Sequence, residues 1–317
     1  MKVIDKLNKS SKPLLSFEIL PPLKGKSIQS LYDGIDPLME FKPAFINVTY
    51  HREEYVYKKR EKGYLEKVSI RKRPGTVGIC AALINKYDIE AVPHLICGGF
   101  NREETENALI DLHFLGINNV LALRGDPIKT EQNFIPEEGG NTYAIDLVQQ
   151  IRELNKGVYN DEEMRNATPT DFCIGVAGYP EKHFEAPNME TDLKHLRSKI
   201  EAGAEYIVTQ LFYDNKRFFE FVKMCRDNGI DVPIIPGLKP ITKKEQLKSL
   251  TKFFHVSLPY ELSRELDNAK DDVEVAKIGE DWAIEQCREL LESGVPCLHF
   301  YTMGKSSAVR NIAEKLY

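Results

Sequence analysis

Eight apolar runs of strand length recur along the chain: Leu14–Leu20, Phe45–Tyr50, Ala91–Cys97, Asn119–Gly125, Phe172–Tyr179, Tyr206–Phe212, Val232–Leu238 and Cys297–Thr302. Their apolar character is continuous rather than alternating, which is the pattern of strands covered on both faces. The spacers are long enough for the helical crossovers that parallel strands require. Eight such units in 317 residues predict an α/β fold, a single-domain (β/α)8 TIM barrel over residues 1–317. A doubly wound sheet is the structural alternative. It usually has fewer strands, and its nucleotide-binding form needs a glycine fingerprint. Neither G-x-G-x-x-G nor G-x-x-x-x-G-K-[ST] occurs.

The spacers carry the helical period. Ala108, Leu112 and Leu115 share one face closed by Gly116, and Leu193, Leu196 and Ile200 share another closed by Gly203. Asn101-x-x-Glu104 and Thr242-x-x-Glu245 read as capping boxes. The connection between the second and third runs, about residues 51–90, is a long insertion. It is basic early (Lys58, Lys59, Arg60, Lys62) and holds a second helical stretch near Thr76–Ile84. With the Pro/Gly/Glu-rich segment 127–141 it is a candidate lid.

The net charge of −5, with both signs interspersed, argues against a nucleic-acid surface. The N-terminus has no signal-peptide pattern, and no apolar run approaches the ~20 residues of a membrane span. Six cysteines are scattered without a CxxC pair, which suggests reduced core thiols and a cytoplasmic protein. His94 and Cys97 could be read as half a metal site, but strand positions three apart face opposite ways. No metal is expected.

Function is sought where the runs end, because ligands in such folds bind at the strand exits. The fourth run ends Leu123-Arg124-Gly125-Asp126-Pro127: a cation, a glycine and a carboxylate locked by proline. Charges at the end of a buried strand are expensive unless they bind something. Glu18 is the only charge in the first run, which Pro21-Pro22 stops. A carboxyl in an apolar setting has a raised pKa and can act as a general acid, although an ion-paired glutamate reads the same in sequence. Thr49, Tyr50 and His51 end the second run, His94 lies in the third, and Tyr179 and His183 follow the fifth. Gln210 lies in the sixth and Lys305 just past the eighth. Asp192, His195 and Lys199 share a helix face, which alone reads as a solvated stripe. The set suits a polar ring-shaped cofactor and a general acid better than hydrolysis or metal chemistry.

Several motifs then occur in one order: Ser16-Phe17-Glu18-Ile19-Leu20-Pro21-Pro22, Val48-Thr49-Tyr50, Pro93-His94-Leu95, Ala122-Leu123-Arg124-Gly125-Asp126, Ala177-x-Tyr179-Pro180-Glu181-x-His183, Ala202-Gly203-Ala204, Thr209-Gln210, Ile235-Pro236-Gly237 and His299-Phe300-Tyr301-Thr302. The set spans almost the whole chain and resembles the methylenetetrahydrofolate reductase family in its short, bacterial form. The resemblance implies a barrel carrying FAD, with NAD(P)H and methylenetetrahydrofolate as alternating substrates in a ping-pong hydride transfer. The product would supply methyl groups for methionine synthesis. It also implies a homo-oligomer with neither nucleic-acid nor membrane partners.

By the same resemblance Glu18 is the general acid and Asp126 the carboxylate near flavin and folate. Gln210, Gln246 and Lys305 join them as substrate contacts. FAD is implied at Thr49, Tyr50, His94, Arg124, Gly125, Asp126, Tyr143, Ala144, Tyr179, His183, Asp192, His195 and Lys199. Lys305 stands where an arginine is expected, Leu250 where a phenylalanine packs on the substrates, and Arg52 with the 51–90 insertion replaces a compact loop. Nothing resembles the regulatory domain of longer relatives. Another flavin barrel, proline-dehydrogenase-like, or a colourless pterin-binding barrel are the competing functions.

Overall fold

The computed structural model describes residues 1–128 and 131–317. All eight expected runs form strands: β1 (Leu14–Ile19), β2 (Phe45–Val48), β5 (Glu90–Ile96), β6 (Asn119–Leu123), β7 (Cys173–Gly178), β8 (Tyr206–Leu211), β9 (Ile234–Leu238) and β10 (Cys297–Tyr301). They close into one parallel barrel in the order β1-β10-β9-β8-β7-β6-β5-β2. Several end one or two residues earlier than the apolar runs. Just past the assigned strands, Thr49 N still donates to the Ile19 carbonyl (3.1 Å) and Thr302 N to the Glu18 carbonyl (3.2 Å).

β3 (Glu54–Lys59) and β4 (Leu65–Ile70) form an antiparallel hairpin outside the barrel, within the 51–90 insertion. Its turn uses left-handed backbone at Lys62 (φ 63°) and Gly63 (φ 81°). The helices are α1 (Val3–Lys9), α2 (Gln29–Met39), α3 (Thr76–Tyr87), α4 (Arg102–Phe114), α5 (Ala144–Leu154), α6 (Met189–Glu201), α7 (Asn215–Asp227), α8 (Gln246–Phe254), α9 (Tyr260–Asn268), α10 (Asp272–Glu292) and α11 (Ser307–Leu316). Among the described residues none is long and apolar enough to cross a membrane.

Two apolar layers position the site. The outer one lies between strands and helices and contains Phe17, Ile46, Leu109, Ile174, Leu193 and Phe300. The inner one fills the lower barrel with Phe45, Val92, Leu121, Cys173, Tyr206, Val208 and Cys297. Val3 and Leu7 of α1 plug its floor, pinned where Val3 N donates to Asn119 Oδ1 at 2.7 Å. Two inward glycines make room for tyrosines. A Cβ at Gly175 would lie 2.4 Å from the Tyr206 ring, and one at Gly237 would lie 2.1 Å from the Thr209 carbonyl and 2.6 Å from the Tyr301 ring.

The Asn101–Glu104 capping box forms, and Gly116 and Gly203 close α4 and α6. Two expectations are corrected. Leu115 is exposed beyond the end of α4, whose buried stripe is Thr105, Leu109 and Leu112. The Thr242–Glu245 box is absent because α8 starts at Gln246, whose Oε1 accepts from Thr242 N (2.7 Å) and Lys243 N (2.9 Å) instead. All six cysteines are buried and free.

Candidate active site

Alternation along β1 turns Ser16 and Glu18 into the barrel. Glu18 is near its upper end, with its side chain 12 % exposed. Thr49 Oγ1, just beyond β2, donates to Glu18 Oε1 at 3.0 Å, and His94 Nε2 from β5 lies 3.3 Å from Oε2. Burial pushes the Glu18 carboxyl up to about 7, against the Thr49 hydrogen bond and the positive charge of Lys239. Burial takes the His94 imidazole the other way, to about 3, so it is neutral at physiological pH. The Glu18–His94 contact is therefore a hydrogen bond rather than an ion pair. The protonated carboxyl donates to Nε2, whose lone pair also faces the Asn47 amide nitrogen at 3.4 Å. Below them His299 Nδ1 meets Ser16 Oγ at 2.8 Å, and burial also holds this imidazole down at about 3.

Sequence reasoning missed Lys239. Glu18 pairs with Tyr301 across β1 and β10, and Phe300 pairs with Leu238 across β10 and β9. Lys239, next after Leu238, thus continues the row holding Tyr301 and Glu18. Burial lowers its ammonium to about 8, with Glu18 opposing the fall and Lys305 adding to it. A signal was present: Leu238-Lys239-Pro240 is an apolar strand ending in a proline-locked cation, as at Arg124.

A second group gathers at the exits of β6 and β7. Gly125 adopts φ +86°, and a Cβ there would press on Ile96 at 3.1 Å, so only glycine holds this turn without strain. Arg124 forks onto Glu185, with Nη2 to Oε1 at 2.9 Å, and its guanidinium lies 5.2 Å from the Phe134 ring. Glu185 is thus another residue the sequence did not announce. Asp126 is exposed, and its charge reaches Tyr179 and His51. Tyr179 meets His183 edge-on at 4.7 Å, and Asp192 Oδ2 accepts from His183 N at 2.8 Å. Lys199 Nζ donates to the Ala177 carbonyl at 2.8 Å, and burial lowers it to about 8 against the pull of Asp192.

Asp192 and Lys199 therefore join the strand exits, whereas the His195 side chain is exposed and makes no hydrogen bond among the described residues. Tyr143 is 58 % exposed at the start of α5, next to Ala144. Tyr50 packs against Phe100 at 5.2 Å. Gln210 Oε1 accepts from Leu211 N at 2.9 Å, leaving its amide N–H groups without a partner among the described residues. The Gln246 carbonyl is committed to the turn before α8. Lys305 is exposed, its backbone N–H bonded to the Thr302 carbonyl. Leu250 is 1 % exposed, in a satellite core with Leu211, Tyr213 and Ile241.

The family model described as methylenetetrahydrofolate reductase matches residues 3–317. The chain belongs to the methylenetetrahydrofolate reductase family. It is 37 % identical over 325 residues to methylenetetrahydrofolate reductase 2 of Saccharomyces cerevisiae, covering 100 % of this chain and 50 % of that protein. It is 31 % identical over 305 residues to 5,10-methylenetetrahydrofolate reductase of Escherichia coli, covering 95 % of this chain and 90 % of that one. The chain thus spans about half the length of the fungal and plant reductases it matches. Among solved structures, an uncharacterized Clostridium thermocellum protein that binds two copies of 5-methyl-5,6,7,8-tetrahydrofolic acid superimposes with a TM-score of 0.60. It shares 15 % identity over 98 % of each chain, a likeness of fold.

Proposed function

We propose that this reductase-family chain reduces 5,10-methylenetetrahydrofolate to 5-methyltetrahydrofolate with NAD(P)H, through FAD and in ping-pong fashion. The observation that carries the reading is Glu18: a buried carboxyl whose proton is held near neutrality and shared with a neutral imidazole. An acid that half-ionises at the working pH is suited to giving up a proton and regaining it in each cycle.

The strand exits fit a flavin dinucleotide. Gly125 holds a left-handed turn between Arg124 and Asp126 that no other residue takes without strain, and Lys199 is a desolvated cation with one backbone acceptor. Arg124, Tyr179, His183 and Asp192 stand around them. These residues would hold FAD together with Thr49, Tyr50, His94, Asp126, Tyr143, Ala144 and His195. FAD, when bound, supplies the two-electron carrier that separates the NAD(P)H and folate half-reactions.

The chain's own residues do the rest. Glu18 gives its proton to the five-membered ring of the folate, which opens to a cation. Asp126 faces that cation with a negative charge. Gln210 offers its unpartnered amide N–H groups to the pterin, with Gln246 and Lys305 as further substrate contacts. The same reading carries a cytoplasmic homo-oligomer whose product feeds methionine synthesis.

The visible spectrum of the purified protein tests this. An oxidised-flavin band should bleach with NADH or NADPH and return with methylenetetrahydrofolate. Glu18→Gln should keep the bleaching and lose folate reduction by about 10²–10⁴-fold. A colourless protein, or a Glu18→Gln variant that reduces folate at the wild-type rate, refutes the proposal.

A further inference from the structure

The 51–90 insertion contains a stretch that is its own antiparallel complement: Glu53-Glu54-Tyr55-Val56-Tyr57-Lys58-Lys59. It is β3 together with the residue before it. Laid antiparallel on a second copy and centred on Val56, it sets Glu53 opposite Lys59, Glu54 opposite Lys58, Tyr55 opposite Tyr57 and Val56 opposite Val56. Each opposed pair is then opposite in charge, or both aromatic, or both aliphatic, and such cross-strand pairs stabilise a sheet. Moving the centre to Tyr57 would set Glu53 against Glu61 and Val56 against Lys58.

The backbone is free to make that pairing. Arg60 N donates to the Tyr64 carbonyl across the hairpin turn at 2.8 Å, and β3 pairs with β4 in one unbroken register. Hydrogen-bonded and non-hydrogen-bonded pairs alternate along an antiparallel ladder, so Glu54, Val56 and Lys58 spend their backbone groups on β4. Those of Glu53, Tyr55, Tyr57 and Lys59 point to the outer edge, where they have no hydrogen-bond partner among the described residues. Such an edge is a template for another strand. The hairpin is also held in place. Arg52 pairs with Glu131, Lys72 pairs with Glu54, and Lys24 N donates to the Lys72 carbonyl at 2.7 Å. Its outward face is uncovered, with Tyr55 41 % and Tyr57 63 % exposed.

We propose that the outer edge of β3 pairs with β3 of a second copy about a two-fold axis at Val56, joining the two hairpins into one four-stranded antiparallel sheet. This supplies the interface of the proposed homo-oligomer and rests on that proposal, not on the chemistry of the site. Val56 already faces Val68 across the hairpin, so the pairing lines up Val68 and Val56 of both copies in one row. On the other face each Tyr55 meets a Tyr57, and the Lys67 ammonium already lies 3.8 Å from the Tyr55 ring. Lysines on a strand edge ordinarily repel an incoming strand. Here Lys58 and Lys59 each meet a glutamate. β4 offers no such match: centred on Glu66 or Lys67 it sets like charges opposite each other, and centred on Val68 it sets Glu66 against Ile70. Two paired strands of this length bury less than a standard permanent interface, so the contact is reversible and salt-sensitive.

Sedimentation velocity over about 1–100 µM protein tests this. Wild type should move from the smaller to the larger species across that range, and added salt should weaken the association. Glu53→Lys/Glu54→Lys and Lys58→Glu/Lys59→Glu should each raise the dissociation constant at least about tenfold, because like charges then face each other. Mixed one to one, the two variants should associate as wild type does, since every opposed charge pair is restored between them. A hairpin that had merely lost its fold would not recover in this way. Val56→Cys should form a disulfide between copies under mild oxidation, and the six native thiols are buried and do not compete. Wild type that stays monomeric throughout overturns both this interface and the homo-oligomer. Wild type that associates while both charge variants do so equally well overturns the interface alone. So does a mixture that stays apart, or Val56→Cys protein that yields no cross-linked dimer.

Discussion

Replacing Glu18 with glutamine separates the proton the side chain carries from the shape it fills. Glutamine can accept from Thr49 Oγ1 as Oε1 does now, and its amide can donate to His94 Nε2 as the protonated carboxyl does. The variant thus mimics Glu18 in its protonated form at every pH. A buried carboxyl carried from an ordinary 4.5 to about 7 has a definite sign in stability. Its contribution is fully present below pH 4.5 and is lost as pH rises through 7, because the unfolded chain ionises first. The full loss is about 3 kcal/mol, of which about 2.5 kcal/mol falls between pH 5 and pH 8. Urea unfolding of both proteins at pH 5, 6, 7 and 8 reads this directly. The variant should gain on wild type steadily across that range, while folate reduction is lost throughout. Parallel stability profiles, with a gap that does not change with pH, would show that Glu18 is not a buried acid titrating near neutrality.

Lys239→Met removes the positive charge that pulls Glu18 down. The alkaline limb of folate turnover should therefore move to higher pH, and a limb that stays put or moves lower refutes the pairing. Asp126→Asn should raise the flavin midpoint potential in spectroelectrochemistry and slow folate turnover with FAD still bound. Flavin-free protein would mean that FAD cannot be retained without the Asp126 carboxylate, against a role limited to one contact among many and to tuning the flavin. Gly237→Ala drives a Cβ to within 2.1 Å of the Thr209 carbonyl and against the Tyr301 ring. It should cost about 1–3 kcal/mol of stability, and a wild-type melting temperature would count against the packing described.

The barrel was legible because its strands are covered on both faces, so Asn119–Leu123 and Tyr206–Leu211 carry apolar runs that nothing else explains. The β3–β4 hairpin was not. Tyr55, Tyr57 and Leu65 are exposed among lysines and glutamates, so no apolar face separates strand from charged loop. Plug helix α1 escaped for a related reason. Seven residues with only Val3 and Leu7 buried make too short a period to register. In the site, Glu18, Arg124 and Asp126 were readable as charges out of place, whereas Lys199 read as part of a solvated stripe until the family resemblance reweighted it. Their partners were not, because His94, Lys239 and Glu185 become partners only when barrel closure brings distant strand exits together. Gln246 shows the converse: a residue read as a substrate contact has its carbonyl engaged by the turn that starts α8.

The layer beneath Glu18 explains why the acid sits near 7. Ser16, Asn47, His94 and His299 are all buried, and Asn47 Oδ1 and His299 Nε2 lack partners among the described residues. A fully apolar layer would avoid those unsatisfied groups, so stability alone does not account for them. Their effect on Glu18 is specific. A protonated His94 at 3.3 Å would hold the carboxyl as an anion, but burial keeps that imidazole neutral down to about pH 3. Among the described residues the full cation that pulls Glu18 down is then Lys239, which is itself weakened by burial and by Lys305. Burial alone would leave the carboxyl too reluctant to ionise, and a strong ion pair would leave it without a proton. The Thr49 hydrogen bond and a weakened cation along the strand row, with the neighbouring imidazole kept neutral, hold it between those limits, where proton transfer at neutral pH is most efficient.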